Sequence, residues 1–341
     1  ELLLMTDTDS ELESVVERYG LTLIDTLELT DEIKVHRVLV DRTHLDPTAV
    51  IDNLRTHSLG LRLSDIQASD WTILANLATS LDAQESGYEL VLHPVINSHF
   101  YSPPSHEASA GTGEYSRDAN NWPNFDHSES GYEISKVWSL IEHCGVGGPP
   151  PQVAIIDTDF ALNDDFGPDV DLIQIQDYQA AGHSHYHGTQ VAGLVAARRN
   201  NHFGVAGVAG DMAELTFVDY GPPILFNGLS AIKVASQGGN DIINVSWSTG
   251  PLNFTSDHHS GLLDRWFSTI ADDSLIVAAA GNHGVDIDSG KDDIFPCTAS
   301  AVLCIGGLTS DKRPHPKSNF GTRSNASAID LNGPFKAYGY A

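Results

Sequence analysis

Val153-Ala154-Ile155-Ile156-Asp157 is the stretch from which the fold is read. Four apolar residues follow one another without polar alternation, three of them β-branched. Such a run predicts a strand buried on both faces, and strands of that kind belong to parallel sheets covered by helices. The run ends on a carboxylate. Downstream, the same signature returns at Leu172–Ile175, Leu215–Val218, Ile242–Val245, Leu275–Ala279 and Val302–Gly306. Helical runs lie between them, at 187–199, 227–237 and 259–272. Strand and helix in alternation predict an α/β architecture: a doubly wound, mainly parallel sheet flanked by helices.

Toward the N-terminus the pattern changes. Residues 1–101 read as strand, helix, two strands, helix and strand, a small α+β unit of ferredoxin-like order. Leu12, Val15, Val16 and Tyr19 fall at helical spacing, with Gly20 closing the helix and Pro47 opening the second one. Residues 57–88 fit this pattern poorly and read as an insertion, and Tyr88 to Val95 returns to strand character. Residues 102–126 are rich in Ser, Gly and Pro, lack apolar periodicity and read as a linker open to proteolysis. Residues 127–341 form the larger domain.

Composition sets limits. The chain has 46 acidic against 18 basic residues, a formal charge of −28, which disfavours nucleic acid and anionic membranes as partners. No run of 18 apolar residues predicts a membrane-spanning helix. Three cysteines are too few for a disulfide-built scaffold. Cys297 and Cys304 lie seven apart and form either a local bridge or two buried thiols, and Cys144 has no evident partner. A first residue Glu1 points either to a removed signal or to an internal start.

Three groups carry the chemistry. Asp157 stands at the end of a buried strand, the rim where α/β folds build their sites. Thirty residues on, His187-Gly188-Thr189-Gln190-Val191-Ala192-Gly193 opens a helix, with Gly188 allowing close backbone approach and Ala192 and Gly193 tight packing. Ile276-Val277-Ala278-Ala279-Ala280-Gly281-Asn282 ends a second apolar run on an amide. Each residue has an ordinary reading as well: Asp157 as a helix cap, His187 as a satisfied polar residue, Asn282 as a turn residue. A fourth stretch, Asn244-Val245-Ser246-Trp247-Ser248, brings polar groups and an aromatic ring to another strand end.

In this order the segments resemble the subtilisin-like serine peptidases, the subtilases, over about Ile134 to Gly321. VAIIDTDF looks like the segment of the catalytic Asp, HGTQVAGLVAA like the catalytic His helix and INVSWSTG like a wall of the substrate cleft. IVAAAGNHG looks like the segment of the oxyanion Asn; FPCTASAVLCIGG and SNFG look like the segments after it. The resemblance implies acyl transfer on a polypeptide substrate, with His187 as base, Asp157 holding its tautomer and Asn282 donating to the oxyanion. Ser246, Trp247 and Ser248 would form one wall of the groove, Trp247 offering an apolar contact surface. Ala278, Ala279 and Ala280 would border the S1 pocket on the other side, with Gly281 also among the substrate-binding residues. Residues 1–101 resemble the family's inhibitory propeptide, a folding aid and intramolecular inhibitor that lays its tail, near His99-Phe100-Tyr101-Ser102, along the cleft. Such relatives favour an extracellular or cell-envelope setting, with an intracellular one still open.

Two departures stand out. The family usually has Gly two residues after its catalytic Asp, and here Asp159 stands there. A second carboxylate so close either alters the titration of the dyad or faces solvent. The family's Gly-Thr-Ser nucleophile motif is not evident; Gly321-Thr322-Arg323-Ser324 is the nearest string, and Ser324 reads as a loop serine. Three accounts stay open: a nucleophile outside this stretch, a nucleophile on a second chain, or a catalytically silent peptide-binding protein. The chemistry needs no cofactor. Structural Ca²⁺ is common in the family, and Asp286, Asp288, Asp292 and Asp293 supply oxygen donors, though solvated loop acids explain them as well. His183, His185 and His187 alternate as Zn²⁺ or Ni²⁺ ligands do, which leaves a metal-dependent hydrolase as a third reading.

Overall fold

The computed structural model describes residues 2–6, 9–41, 45–56, 78–79, 89–92, 96–97, 134–145, 147–168, 170–176, 186–199, 201, 204–249, 261–289, 294–309, 311–321 and 329–334. The expectations for the 57–88 insertion (Ala78 and Thr79 apart), the 102–126 linker, His183, His185, Asp292, Asp293 and Ser324 fall outside these residues.

The N-terminal unit runs β1 (Leu2–Thr6), α1 (Asp9–Tyr19), β2 (Leu21–Glu28), β3 (Lys34–Val40), α2 (Pro47–Thr56) and β4 (Glu89–Leu92). Its sheet has the order β2-β3-β1-β4 with every pair antiparallel. Gly20 ends α1 with φ of 59°, a left-handed turn that costs glycine little. All five residues of β1 are buried, so both faces of the sheet are covered. On one face Leu2, Leu4 and Val38 meet Val15 and Tyr19 of α1 and Val50 and Leu54 of α2. On the other, Leu3, Met5 and Val35 join the main core of the larger unit.

Strand β5 (Ile96–Asn97) follows in the N-terminal stretch, and the larger unit runs α3 (Ile134–Cys144), β6 (Gln152–Asp157), β7 (Asp171–Gln174), α4 (His187–Ala196), β8 (Glu214–Asp219), α5 (Leu225–Gln237), β9 (Ile242–Val245), β10 (Ser248–Thr249), α6 (Gly261–Ala271), β11 (Leu275–Ala279), β12 (Val302–Leu308) and β13 (Leu331–Pro334). Seven strands make one parallel sheet in the order β13-β12-β11-β9-β6-β8-β7. The apolar run of β6 serves both faces. Val153 and Ile155 point to Phe166, Ala192 and Phe217. Ala154 and Ile156 point to a core shared with Leu229 and Ile232 of α5 and Leu263, Trp266 and Phe267 of α6. Continuous apolar strands are the signature of such two-sided burial. The sheet and its helices are those expected for the subtilisin-like class.

Some boundaries differ from expectation. Helix α4 stops at Ala196 rather than near 199, because Ala197 is extended and the Arg198 N–H turns away to the carbonyl of Asp165 at 2.8 Å. The Leu172 strand lies at the sheet edge, with Leu172 and Ile173 each 36% exposed, and so is not a core strand. Cys297 and Cys304 form a disulfide with a Cα separation of 4.8 Å. Cys144 is an exposed free thiol. Among the described residues no helix is long and apolar enough to cross a membrane.

Candidate active site

The sheet fixes where the site lies. From β6 the chain proceeds to β7 and β8 on one side, then crosses to β9 on the other. The crevice between β6 and β9 is therefore the switch point at which α/β sheets bind ligands, outside the carboxyl ends of the strands. Ile156 pairs with Val245, and Val245 with Ala278. The next residues, Asp157, Ser246 and Ala279, therefore leave three adjacent strands at one level.

Asp157 is fully buried. Its Oδ1 accepts from the Thr158 N–H at 2.8 Å and lies 2.7 Å from Nδ1 of His187. A carboxylate oxygen only accepts, so Nδ1 carries the proton and Nε2 is the ring nitrogen left for base chemistry. Its Oδ2 has no hydrogen-bond partner among the described residues. His187 is the first residue of α4, after Tyr186 in a left-handed turn with φ of 41°. The helix is stitched to the loop beyond Asp157. The Gly188 N–H donates to Thr158 O at 2.8 Å, and the Ala161 N–H to Thr189 Oγ1 at 2.7 Å. A Cβ on Gly188 would fall 2.7 Å from both the Phe160 ring and Thr158 O, so the close approach read from Gly188 is realised.

Electrostatics around the pair are acidic. Burial alone pulls the His187 pKa down, but the charge and hydrogen bond of Asp157, with the charge of Asp159, outweigh it and the net shift is upward. Asp159 thus acts on the dyad. Its φ of 60° also explains why a glycine suits this position. A further carboxylate, Asp219, ends β8 in register with Asp157. Burial pushes it up to about 6; the Gly221 N–H, 2.9 Å from its Oδ1, opposes this, and the charges of Asp159 and Asp157 reinforce it. Asp219 follows Leu215–Val218 just as Asp157 follows Val153–Ile156, but no motif around it marks it in the sequence.

The groove residues are arranged less simply. Ser246 Oγ accepts from Asn244 Nδ2 at 2.9 Å. Trp247 is 1% exposed and meets Tyr220 edge-on at 5.8 Å, so its ring is core and not the apolar contact surface expected of it. Ser248 is buried, and with Thr249 it forms β10, which pairs antiparallel with β5. Ala279 is half-buried, Ala280 and Gly281 are buried, and Asn282 is exposed in the turn that follows. Ala278 lies in the core.

Of the candidate metal ligands, Asp286, Asp288 and His187 lie among the described residues. Asp286 Oδ1 already accepts from the Asp288 N–H at 3.1 Å. Among the described residues no group of three or more His, Cys, Asp and Glu side chains is arranged to hold an ion.

Comparison with known proteins agrees with this layout. Residues 148–336, more than half of the chain, match the model of the Subtilase family. A thermophilic serine proteinase of Bacillus sp. (strain AK1) is 29% identical over 186 residues, covering 52% of this chain and 43% of the relative. An extracellular basic protease of Dichelobacter nodosus is 28% identical over 159 residues, covering 44% of this chain and 25% of the relative. The chain thus spans less than half the length of either. The crystal structure of an epidermin leader peptide processing serine protease from Staphylococcus aureus superposes with a TM-score of 0.57 at 16% identity, covering 98% of this chain and 75% of that one. With its parallel sheet, its Asp–His contact and a family match over most of the larger unit, the chain belongs to the subtilase family of subtilisin-like serine peptidases.

Proposed function

We propose that this protein is the precursor of a serine endopeptidase that cleaves peptide bonds by acyl transfer. The carrying observation is the 2.7 Å contact of His187 Nδ1 with buried Asp157 at the switch point of the sheet. In the first step Nε2 of His187 takes the proton of a serine hydroxyl as its oxygen bonds to the scissile carbonyl carbon. The C–N bond then breaks, and the proton passes from Nε2 to the leaving amine. Asp157 holds the tautomer and stabilises the imidazolium, and the Asn282 amide donates to the oxyanion. Water repeats the cycle to release the acyl group.

The N-terminal unit is read as folding aid and inhibitor. Two observations support this. Its sheet shares a core with α5 and α6, where Lys233 Nζ also donates to Glu28 O. Strand β5 lies antiparallel on β10, directly after Ser246 and Trp247. An extended segment paired there occupies the groove as a substrate strand would. An extracellular setting accords with the Cys297–Cys304 disulfide and with the name of the Dichelobacter relative.

We take the nucleophile to lie outside Glu1–Ala341, and fluorophosphonate labelling of the full chain, the complete natural protein, tests the reading. Labelling of one serine, abolished by His187→Ala, is expected. Unlabelled protein that still binds extended peptides would identify a silent peptide binder. Labelling that appears only with a second polypeptide would identify a two-chain enzyme.

A further inference from the structure

Four hydrogen bonds tie Asn319 to the turn that carries Asn282. Its Nδ2 donates to the carbonyl of Ala280 at 2.7 Å. Its Oδ1 accepts from the backbone N–H of His283 at 3.0 Å and of Val285 at 3.2 Å. Its own backbone N–H donates to the carbonyl of Gly281 at 2.9 Å. The residue is 1% exposed. The amide has one satisfactory orientation, because exchanging its oxygen and nitrogen would set a donor against two N–H groups and an acceptor against a carbonyl.

The residues held in this way bracket Asn282 on both sides. Gly281 adopts φ of 95°, and a Cβ there would lie 2.7 Å from Asn319 Nδ2 and 3.0 Å from Ser248 Oγ. Asn319 and Ser248 therefore both close on Gly281. Asn282 itself is exposed. With its backbone fixed, its Cβ–Cγ bond can take only a few staggered directions, and the amide turns about that bond.

We propose that Asn319 is a positioning residue for the Asn282 amide. It holds the 280–285 turn so that the donor already faces the point where charge develops on the scissile carbonyl. The inference rests on the peptidase reading above. A donor fixed beforehand costs no reorganisation at the moment of reaction, and a displacement of about 1 Å costs on the order of 10²-fold in rate.

A double-mutant cycle in the full chain tests this, with kcat and KM measured on a peptide substrate. Asn282→Ala should lower kcat by about 10²–10³-fold, the loss known for such a donor in subtilisin. Asn319→Ala should lower kcat by roughly 10–10²-fold with KM nearly unchanged. In the Asn282→Ala background the second substitution should cost nothing further in kcat. Losses that multiply, or an Asn319→Ala enzyme with full kcat, would overturn the inference and leave the peptidase reading intact. An Asn282→Ala enzyme with full kcat, or a full chain without peptidase activity, would remove the oxyanion assignment and this inference with it. Thermal unfolding checks each variant. Asn319→Asp would set an oxygen against the Ala280 carbonyl and bury a carboxyl, so Asn319→Ser, which shortens the side chain and keeps a hydroxyl, takes the place of an Ala variant that fails to fold.

Discussion

The charge of Asp159 acts on His187, the charges of Asp157 and Asp159 act on Asp219, and each of the two carboxyls has its own signature. The charge of Asp159 helps to raise the His187 pKa. Removing it in Asp159→Asn lets the imidazolium lose its proton at lower pH, so the acid limb of the kcat/KM profile should move to lower pH. An unmoved limb would mean that solvent screens Asp159 from the ring. For Asp219 the folded chain holds the proton more tightly than the unfolded chain, since its pKa rises from 3.8 to about 6. Stability from this group is whole below the unfolded value and is lost as pH rises through about 6. Asp219→Asn should therefore gain stability over the parent between pH 4 and 7, read as a urea midpoint difference that grows across that window. A difference independent of pH would contradict the burial of this carboxyl.

At the scale of elements, the start of α4 is the tightest joint. Gly188→Ala drives a methyl group into the Phe160 ring and the Thr158 carbonyl. Backbone cannot yield as a flexible side chain does, so a loss of about 1–3 kcal/mol is expected from thermal unfolding, together with reduced turnover as His187 shifts. A variant with the parent's melting temperature would refute so close a fit. Long elements were legible in the sequence because burial imposes a period on them: β6, α4, β9 and β11 all lie within a few residues of their expected positions. The positions of Asp157 and His187 are legible for the same reason, Asp157 closing β6 and His187 opening α4. Short pieces had no period to show. Strands β5 and β10 have two residues each, and β13 carries Gly333 and Pro334, which strands ordinarily avoid. Trp247 is core and not groove surface because strand position does not tell which neighbours close over a ring. Asn319 was seen as part of SNFG but not as a clamp, since its partners lie 34 to 39 residues away.

Among the described residues the two units are joined by apolar contact, by the Lys233–Glu28 hydrogen bond and by the pairing of β5 with β10. Residues 1–101 added separately to an active enzyme lacking them should inhibit it, measured as a fall in initial rate with rising fragment concentration. Absence of inhibition would leave the N-terminal unit an accessory domain. The pairing of β5 with β10 has a consequence of its own. Backbone amides make that bond, and every peptide possesses them, so the β10 edge by itself cannot tell one extended chain from another. What sets Ile96–Asn97 apart is attachment: a docked sheet a few residues upstream keeps the strand at an effective concentration that a short tether places in the millimolar range. A free peptide must match that concentration to compete, and severing the tether would turn a resident strand into an ordinary competitor.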